Sequence, residues 1–246
     1  RLYLFAFLGY SLSGVLDACT SYGTQLFWPL SDERVAWNLI AIVDPVFTLA
    51  LLAAVVVAAV KRLPRAAWAG LGFAVIYLVA GWVQQQRAEA VVRELASERG
   101  HSIERILVKP TMGNLVLWRT IYEAGDGFHV DAVRVGLASH RVYAGGSAQR
   151  VEPKRDFPRL REESTAYGDL LRFAEFSDGF LARHPERPDV IGDLRYSMTP
   201  TGLIPLWGIG LNPDRPEKHA RYLVFRDLSE EERRHFWDML IGRETE

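Results

Sequence analysis

The sequence has 246 residues, a formal net charge of -1 and a single cysteine. The near-neutral charge, without a block of Lys or Arg, gives no reason to expect a nucleic acid as partner. One cysteine excludes an internal disulfide and any CxxC site. The charges are unevenly distributed, because residues 1–84 carry only five Lys or Arg and four Asp or Glu of the 29 and 30 in the chain.

Three apolar segments in the first part of the chain predict about three membrane spans. The first is "LYLFAFLGYSLSGVL" at the start, the second is Ala36 to Val60, and the third is Ala66 to Val83. A spanning helix needs roughly 20 apolar residues. A signal peptide is the alternative interpretation of the first segment, but its small-residue cleavage pattern is absent.

The basic linker "KRLPR", Lys61 to Arg65, sets the predicted orientation. Short loops rich in Lys and Arg face the cytoplasm, so the large C-terminal part is expected outside. Phe27, Trp28 and Trp37 suit an interfacial aromatic belt. We therefore expect a multi-pass membrane protein with the lipid bilayer as partner and an outer C-terminal domain; in a bacterium, this domain would be periplasmic and the membrane would be the inner membrane.

Residues after the last span have the patterns of a helical stalk and an α+β domain. Gly100 is a natural helix stop, and Gly125-Asp126-Gly127 suits the turn of a β-hairpin. A loop is expected around Gly145-Gly146, then a helix capped by Ser164 that continues to Pro185. Strands are expected over 189–198, 203–211 and 221–227, and a Ser229/Glu232 capping box begins a final helix. The predicted domains are a membrane region at 1–84, a stalk at 85–100 and an α+β extracytoplasmic domain at 101–246.

Two carboxylates stand out in the membrane part. Asp17 lies near the C-terminal end of an apolar helix, where a negative charge opposes the helix dipole. Asp44 lies within an apolar run and precedes Pro45, so it suits the N-cap of a helix. The cost of placing a charge there suggests a functional role for Asp17. The alternative is that Asp17 is an interfacial residue that caps the next turn. Capping and function are compatible for Asp44.

His129 and Asp131 would point to one side of a strand and could form a metal pair. Two ligands are too few for a metal site, and the spacing identifies no third. The chain has no GxSxG, P-loop or HExxH motif.

The stretch "GYSLSGVLDACTSYGTQLFWPLSD", followed by "AWNLIAIVDPVFTL", resembles a family of inner-membrane metal-dependent hydrolases, some of them LexA-regulated. In that family an HxxLD-T-x-G type motif ends one helix and an "IDP" motif opens the next. The similarity extends into "LVKPTMGNLVLWRTIYEAGDGFHVDAVRV". It implies a site on the outer membrane face, in which Asp17 and Asp44 match the family carboxylates and Thr20 and Gly23 match the adjoining motif.

The resemblance implies a membrane-bound hydrolase with a divalent metal ion, zinc being one candidate. Asp17 and Asp44 would be catalytic metal ligands or orient water. The substrate would be a small molecule or a lipid, such as an envelope ester. Two departures matter: the family's upstream HRGxTHS-like motif is absent, so we expect the N-terminal part to be missing, and Ser13 stands where the pattern has His. The alternative is a catalytically lapsed membrane protein whose outer α+β domain binds a partner or ligand.

Overall fold

The computed structural model describes residues 1–244. The chain divides into two compact units: the first contains residues 1–92, 108–118 and 134–140, and the second contains residues 93–107, 119–133 and those from 141 onward. The helices are α1 Leu2–Ala18, α2 Pro45–Val60, α3 Pro64–Glu98, α4 Pro153–Asp156, α5 Thr165–Phe176 and α6 Glu230–Ile241. The strands are β1 Arg105–Pro110, β2 Leu117–Ala124, β3 Gly127–Val135, β4 His140–Gln149, β5 Leu181–His184, β6 Arg187–Asp193, β7 Trp207–Gly210 and β8 Arg221–Val224.

The prediction of about three membrane spans followed by an α+β domain is wrong in its membrane part. Among residues 1–244, only α3 is long and apolar enough to cross a membrane. The apolar run from Ala36 is not one helix, because Asp44 and Pro45 begin α2 and leave it 16 residues. At about 1.5 Å per residue, α2 reaches about 24 Å, which is shorter than the ~30 Å hydrocarbon core. The 17 residues of α1 are short for the same reason.

The long helix α3 packs closely on α2 through Gly70. A Cβ at Gly70 would come within 2.6 Å of the Ala54 side chain, so only glycine allows this approach of the two helices. α3 ends at Glu98, and Gly100 follows with a φ of +73°. The predicted helix stop at Gly100 is therefore confirmed.

The first sheet has the strand order β1-β2-β3-β4, so strands consecutive in the chain are neighbours. β2 and β3 form the predicted hairpin, with Gly125 at a φ of +59° in its turn. The expected loop around Gly145-Gly146 is wrong, because both glycines lie within β4. A Cβ at Gly145 would come within 2.3 Å of the Val130 carbonyl oxygen, so this glycine permits close strand packing.

The second sheet has the order β5-β6-β7-β8, and all its pairings are antiparallel. The helix capped by Ser164 is confirmed but ends at Phe176, and Leu181 begins β5 instead of continuing the helix. Helix α5 covers this sheet with buried side chains that pack against β5, β6 and β7: Tyr167, Leu170 and Phe173 meet Leu181, Ile191 and Ile209. The Ser229/Glu232 capping box of α6 is confirmed.

Candidate functional site

The segment after α1 folds back along the end of that helix. The Trp37 N–H donates to the Ala18 carbonyl oxygen at 2.7 Å, and the Leu39 N–H donates to the Cys19 carbonyl oxygen at 2.8 Å. These bonds satisfy carbonyl groups at a helix end, where four have no partner within the helix. They also bring the chain that leads into α2 alongside the last turn of α1.

This path creates a cavity of about 410 Å³ at the C-terminal end of α1 and the N-terminal end of α2, which we call the Asp17–Asp44 cavity. One part of its wall is apolar and the other carries two carboxylates and three hydroxyl groups. The lining residues are Ser13, Leu16, Asp17, Thr20, Ile40, Ala41, Ile42, Asp44, Phe47, Thr48 and Leu51.

Asp17 is the exposed carboxylate of this cavity. Its Oδ2 accepts a hydrogen bond from the Thr24 hydroxyl, and its backbone oxygen accepts one from the Thr20 hydroxyl at 2.7 Å. The charge lies at the negative end of the α1 dipole, which disfavours it. Exposure to water and the threonine bond offset that cost.

Asp44 is the buried carboxylate, with 3% of its surface exposed. Its Oδ1 accepts the Phe47 N–H at 3.0 Å as the N-cap of α2, which confirms the capping prediction. Its Oδ2 accepts the Tyr77 hydroxyl of α3 at 2.8 Å. Both oxygens therefore hold elements of the fold together, and the side chain fixes the wall of the cavity.

The cavity contains three of the four predicted site residues: Asp17, Asp44 and Thr20. Gly23 does not line it. Gly23 instead adopts a φ of +88° beside Arg34, in a turn that any other residue would strain. Ser13 does line the cavity, and its hydroxyl donates to the Tyr10 carbonyl oxygen at 2.6 Å.

Two residues of the site were missed by the sequence analysis. Thr48 lines the cavity, and its position four residues after Asp44 could have revealed it, because residues i and i+4 share a helix face. Tyr77 supports Asp44 from a distant helix, and only its polar hydroxyl within an apolar run signals such a role.

The side chains of the cavity offer few donors to a metal ion. A catalytic zinc site has three protein ligands and an open position. Among residues 1–244, no group of three or more His, Cys, Asp or Glu side chains is placed to hold a metal ion. Two carboxylates, one of them already bonded through both oxygens, do not fit a complete metal centre.

The second candidate pair, His129 and Asp131, belongs to a different cluster. The Asp131 side chain is 2% exposed. Its carboxylate accepts hydrogen bonds from the two terminal guanidinium nitrogens of Arg99, at 2.6 and 3.0 Å. The His129 ring lies 4.2 Å from that of His101 and 4.8 Å from that of Tyr122, between centroids. Burial lowers the pKa of His129, and the nearby His101 and Arg99 lower it further. Asp131 is thus the partner of an arginine within a structural cluster.

Comparison with known protein families identifies a similarity in the N-terminal part of the chain. Residues 1–88 match the family described as YdjM inner membrane protein. This match contains the whole Asp17–Asp44 cavity and ends before β1. No curated protein and no solved structure matches the chain. The N-terminal part of the chain is therefore similar to an inner membrane protein.

Proposed function

We propose that the protein is a hydrolase of the bacterial inner membrane and that the Asp17–Asp44 cavity is its site. The observation that carries the proposal is that two carboxylates, far apart in the sequence, line one cavity together with three hydroxyl groups. The similarity to an inner membrane protein extends over this same part of the chain.

The two carboxylates have different roles in the proposal. Asp17 is exposed, so it can accept a proton from a water molecule whose oxygen attacks an ester; the proton then passes to the departing alkoxide. Asp44 is buried and bonded through both oxygens, so it positions the cavity wall. The hydroxyl of Thr48, exposed in the cavity, can donate to a substrate oxygen.

A divalent metal ion such as zinc would supply a more acidic water molecule when bound. Among residues 1–244 no group of three or more ligand side chains is placed to hold such an ion, and the lining of the cavity offers it one available carboxylate, that of Asp17. We therefore assign no step to a metal.

The wall of the cavity indicates an amphiphilic substrate. Ile40, Phe47 and Leu51 form an apolar surface next to the polar groups of Asp17 and Thr20. An ester with an acyl chain would place the chain on the apolar surface and its polar group beside Asp17 and Thr20. A lipid or envelope ester has this character.

The orientation of the protein follows from the basic linker before α3. Lys61, Arg62 and Arg65 lie at the N-terminal end of the one helix in residues 1–244 that could span the bilayer. The positive-inside rule assigns this end to the cytoplasm. The residues after α3 are then periplasmic.

The proposal is tested by comparing Asp17→Asn with Asp32→Asn in protein purified in detergent. Both substitutions remove one negative charge, but Asp32 is an exposed residue that does not line the cavity. Hydrolysis of long-chain carboxylic and phosphate esters should fall about 100-fold or more in Asp17→Asn, the usual contribution of a general base. Asp32→Asn should hydrolyse them like the parent, and metal content measured alongside shows whether a cation depends on Asp17.

A second candidate function is a catalytically inactive membrane protein that binds a ligand or partner through its C-terminal part. The small donor set favours it, together with Ser13, whose hydroxyl is bonded within its own helix. A parent protein that hydrolyses no ester and contains no metal would support this candidate and contradict the hydrolase.

A further inference from the structure

Two loops of the first sheet are attached to α3 where its apolar part ends. The polar run Gln84-Gln85-Gln86 follows Val83. The Gln84 side-chain amide donates to the carbonyl oxygens of Leu115 at 3.3 Å and Val135 at 2.9 Å. The loop between β1 and β2 and the last residue of β3, which leads into the loop before β4, therefore both meet the helix at this residue.

Arg87 strengthens the attachment of the second loop. Its guanidinium donates to the carbonyl oxygens of Gly136 at 2.7 Å and Leu137 at 3.1 Å. Gly136 and Ser139 close this loop as a tight turn, with the Gly136 N–H donating to the Ser139 carbonyl oxygen at 2.8 Å. We call residues 136–139 the Leu137 turn.

The first loop is fixed to the membrane part by two further contacts. The Gly113 N–H donates to the Val43 carbonyl oxygen at 3.1 Å. The Leu115 side chain packs in an apolar cluster with Phe47 of α2 and Phe73 of α3. We call residues 111–116 the Met112 loop.

These bonds determine the level of both loops along α3. Gln84 and Arg87 are separated by about 4.5 Å along the helix axis, at 1.5 Å per residue. Leu115 and the Leu137 turn are thus bonded within one helical turn of the last apolar residues of the candidate span. In a bilayer, this is the level of the lipid headgroups.

The side chains at the tips of the loops are apolar and exposed. Leu137 is 100% exposed and Met112 is 68% exposed. Turn tips in water usually carry Gly, Asn, Asp, Ser or Pro. Two apolar tips attached to the end of a spanning helix suit the interface of a bilayer, where an apolar side chain can leave water.

Cationic groups accompany these tips. Arg87 holds the Leu137 turn, and a guanidinium nitrogen of Arg134 lies 3.7 Å from the position that a Gly136 Cβ would occupy. Cationic groups beside a membrane surface attract anionic headgroups.

We propose that the Met112 loop and the Leu137 turn dock on the lipid bilayer, with Leu137 and Met112 inserted among the headgroups next to the end of α3. The partner is an anionic lipid surface. The proposal depends on α3 lying in a membrane and does not depend on the hydrolase activity.

The test measures depth with a fluorescent label on single cysteines in the Cys19→Ala protein. Leu137→Cys and Met112→Cys are labelled with an environment-sensitive dye and reconstituted in vesicles of phosphatidylcholine and phosphatidylglycerol. Two exposed positions of α3 calibrate the scale. Val79→Cys lies about 7.5 Å before Gln84 and Ala90→Cys about 9 Å beyond it, by the helical rise.

We expect the labels at 137 and 112 to emit at shorter wavelength than the label at 90. A nitroxide on the lipid headgroup should quench the labels at 137 and 112 more strongly than it quenches the label at 90. A nitroxide deep in the acyl chains should quench the labels at 137 and 112 less than it quenches the label at 79. Labels at 137 and 112 that match the label at 90 in emission, quenching and access to aqueous iodide would overturn the proposal. Because Leu137 is fully exposed and Met112 is mostly exposed, their replacement removes little packing, and misfolding does not explain a failure at both positions.

Discussion

The ion pair between Arg99 and Asp131 allows a quantitative test of the second unit. Replacing Arg99 with Met keeps much of the aliphatic side chain but leaves the Asp131 carboxylate, 2% exposed, with the Gly145 N–H at 3.2 Å as a remaining donor. Removing one partner of a buried pair typically costs 3–5 kcal/mol. Arg99 is 30% exposed, so water can partly replace it, and we expect about 3 kcal/mol, at the lower end of that range.

The measurement is urea unfolding of the full chain in detergent, followed by circular dichroism. Arg99→Met combined with Asp131→Asn should recover part of the lost stability, because the buried group is then neutral; a coupling energy of about 2 kcal/mol is expected. Arg155→Met is the matched control, since the side chains of the carboxylates that Arg155 contacts are 20% to 79% exposed and pairs open to water contribute little. An Arg99→Met protein as stable as its parent, or a double variant no more stable than the single one, would refute the reasoning.

Two further predictions concern orientation and pH. In a cysteine-free background, Tyr222→Cys should react with an impermeant thiol reagent in intact spheroplasts and Lys61→Cys only after lysis; the opposite pattern would reverse the orientation. Burial lowers the pKa of both His129 and His184 in the folded protein, so below about pH 6.5 the unfolded chain binds more protons than the folded one. The stability that these residues contribute above about pH 6.5 should therefore be lost as the pH falls through their folded-state pKa values. His184→Asn keeps an acceptor for the Glu186 N–H and should weaken this pH dependence in urea unfolding, whereas an unchanged pH profile would contradict the role of His184.

The parts of the fold that depend on local chemistry were predictable from the sequence. Asp44, Ser164 and Ser229 each cap a helix as predicted, because capping involves only residues within one turn. The span count failed because hydropathy measures the apolar run and ignores where the helix begins. The strands β4 and β5 were missed because Gly145-Gly146 suggested a loop and Leu181 continued a helical pattern.

The polar lining of the candidate site could be anticipated where polar residues interrupt apolar sequence. Asp17 and Asp44 are conspicuous for that reason, and the structure places both on one cavity. The hydroxyl of Tyr77 that holds Asp44 comes from another helix, and no local pattern pairs these two residues. The same holds for Arg99 and Asp131, whose contact depends on the tertiary fold.

The single cysteine gives the protein a natural probe of its own cavity. The Cys19 side chain is buried against Ile40 and Phe47, which both line the Asp17–Asp44 cavity, and burial raises the pKa of its thiol. Because Cys19 is buried in this cluster, a thiol reagent reaches it when the packing around it opens, for example when the returning segment around Leu39 separates from the end of α1. The rate of Cys19 modification in the unaltered protein therefore reports how often the wall of the cavity opens, and a molecule that fills the cavity would slow that reaction.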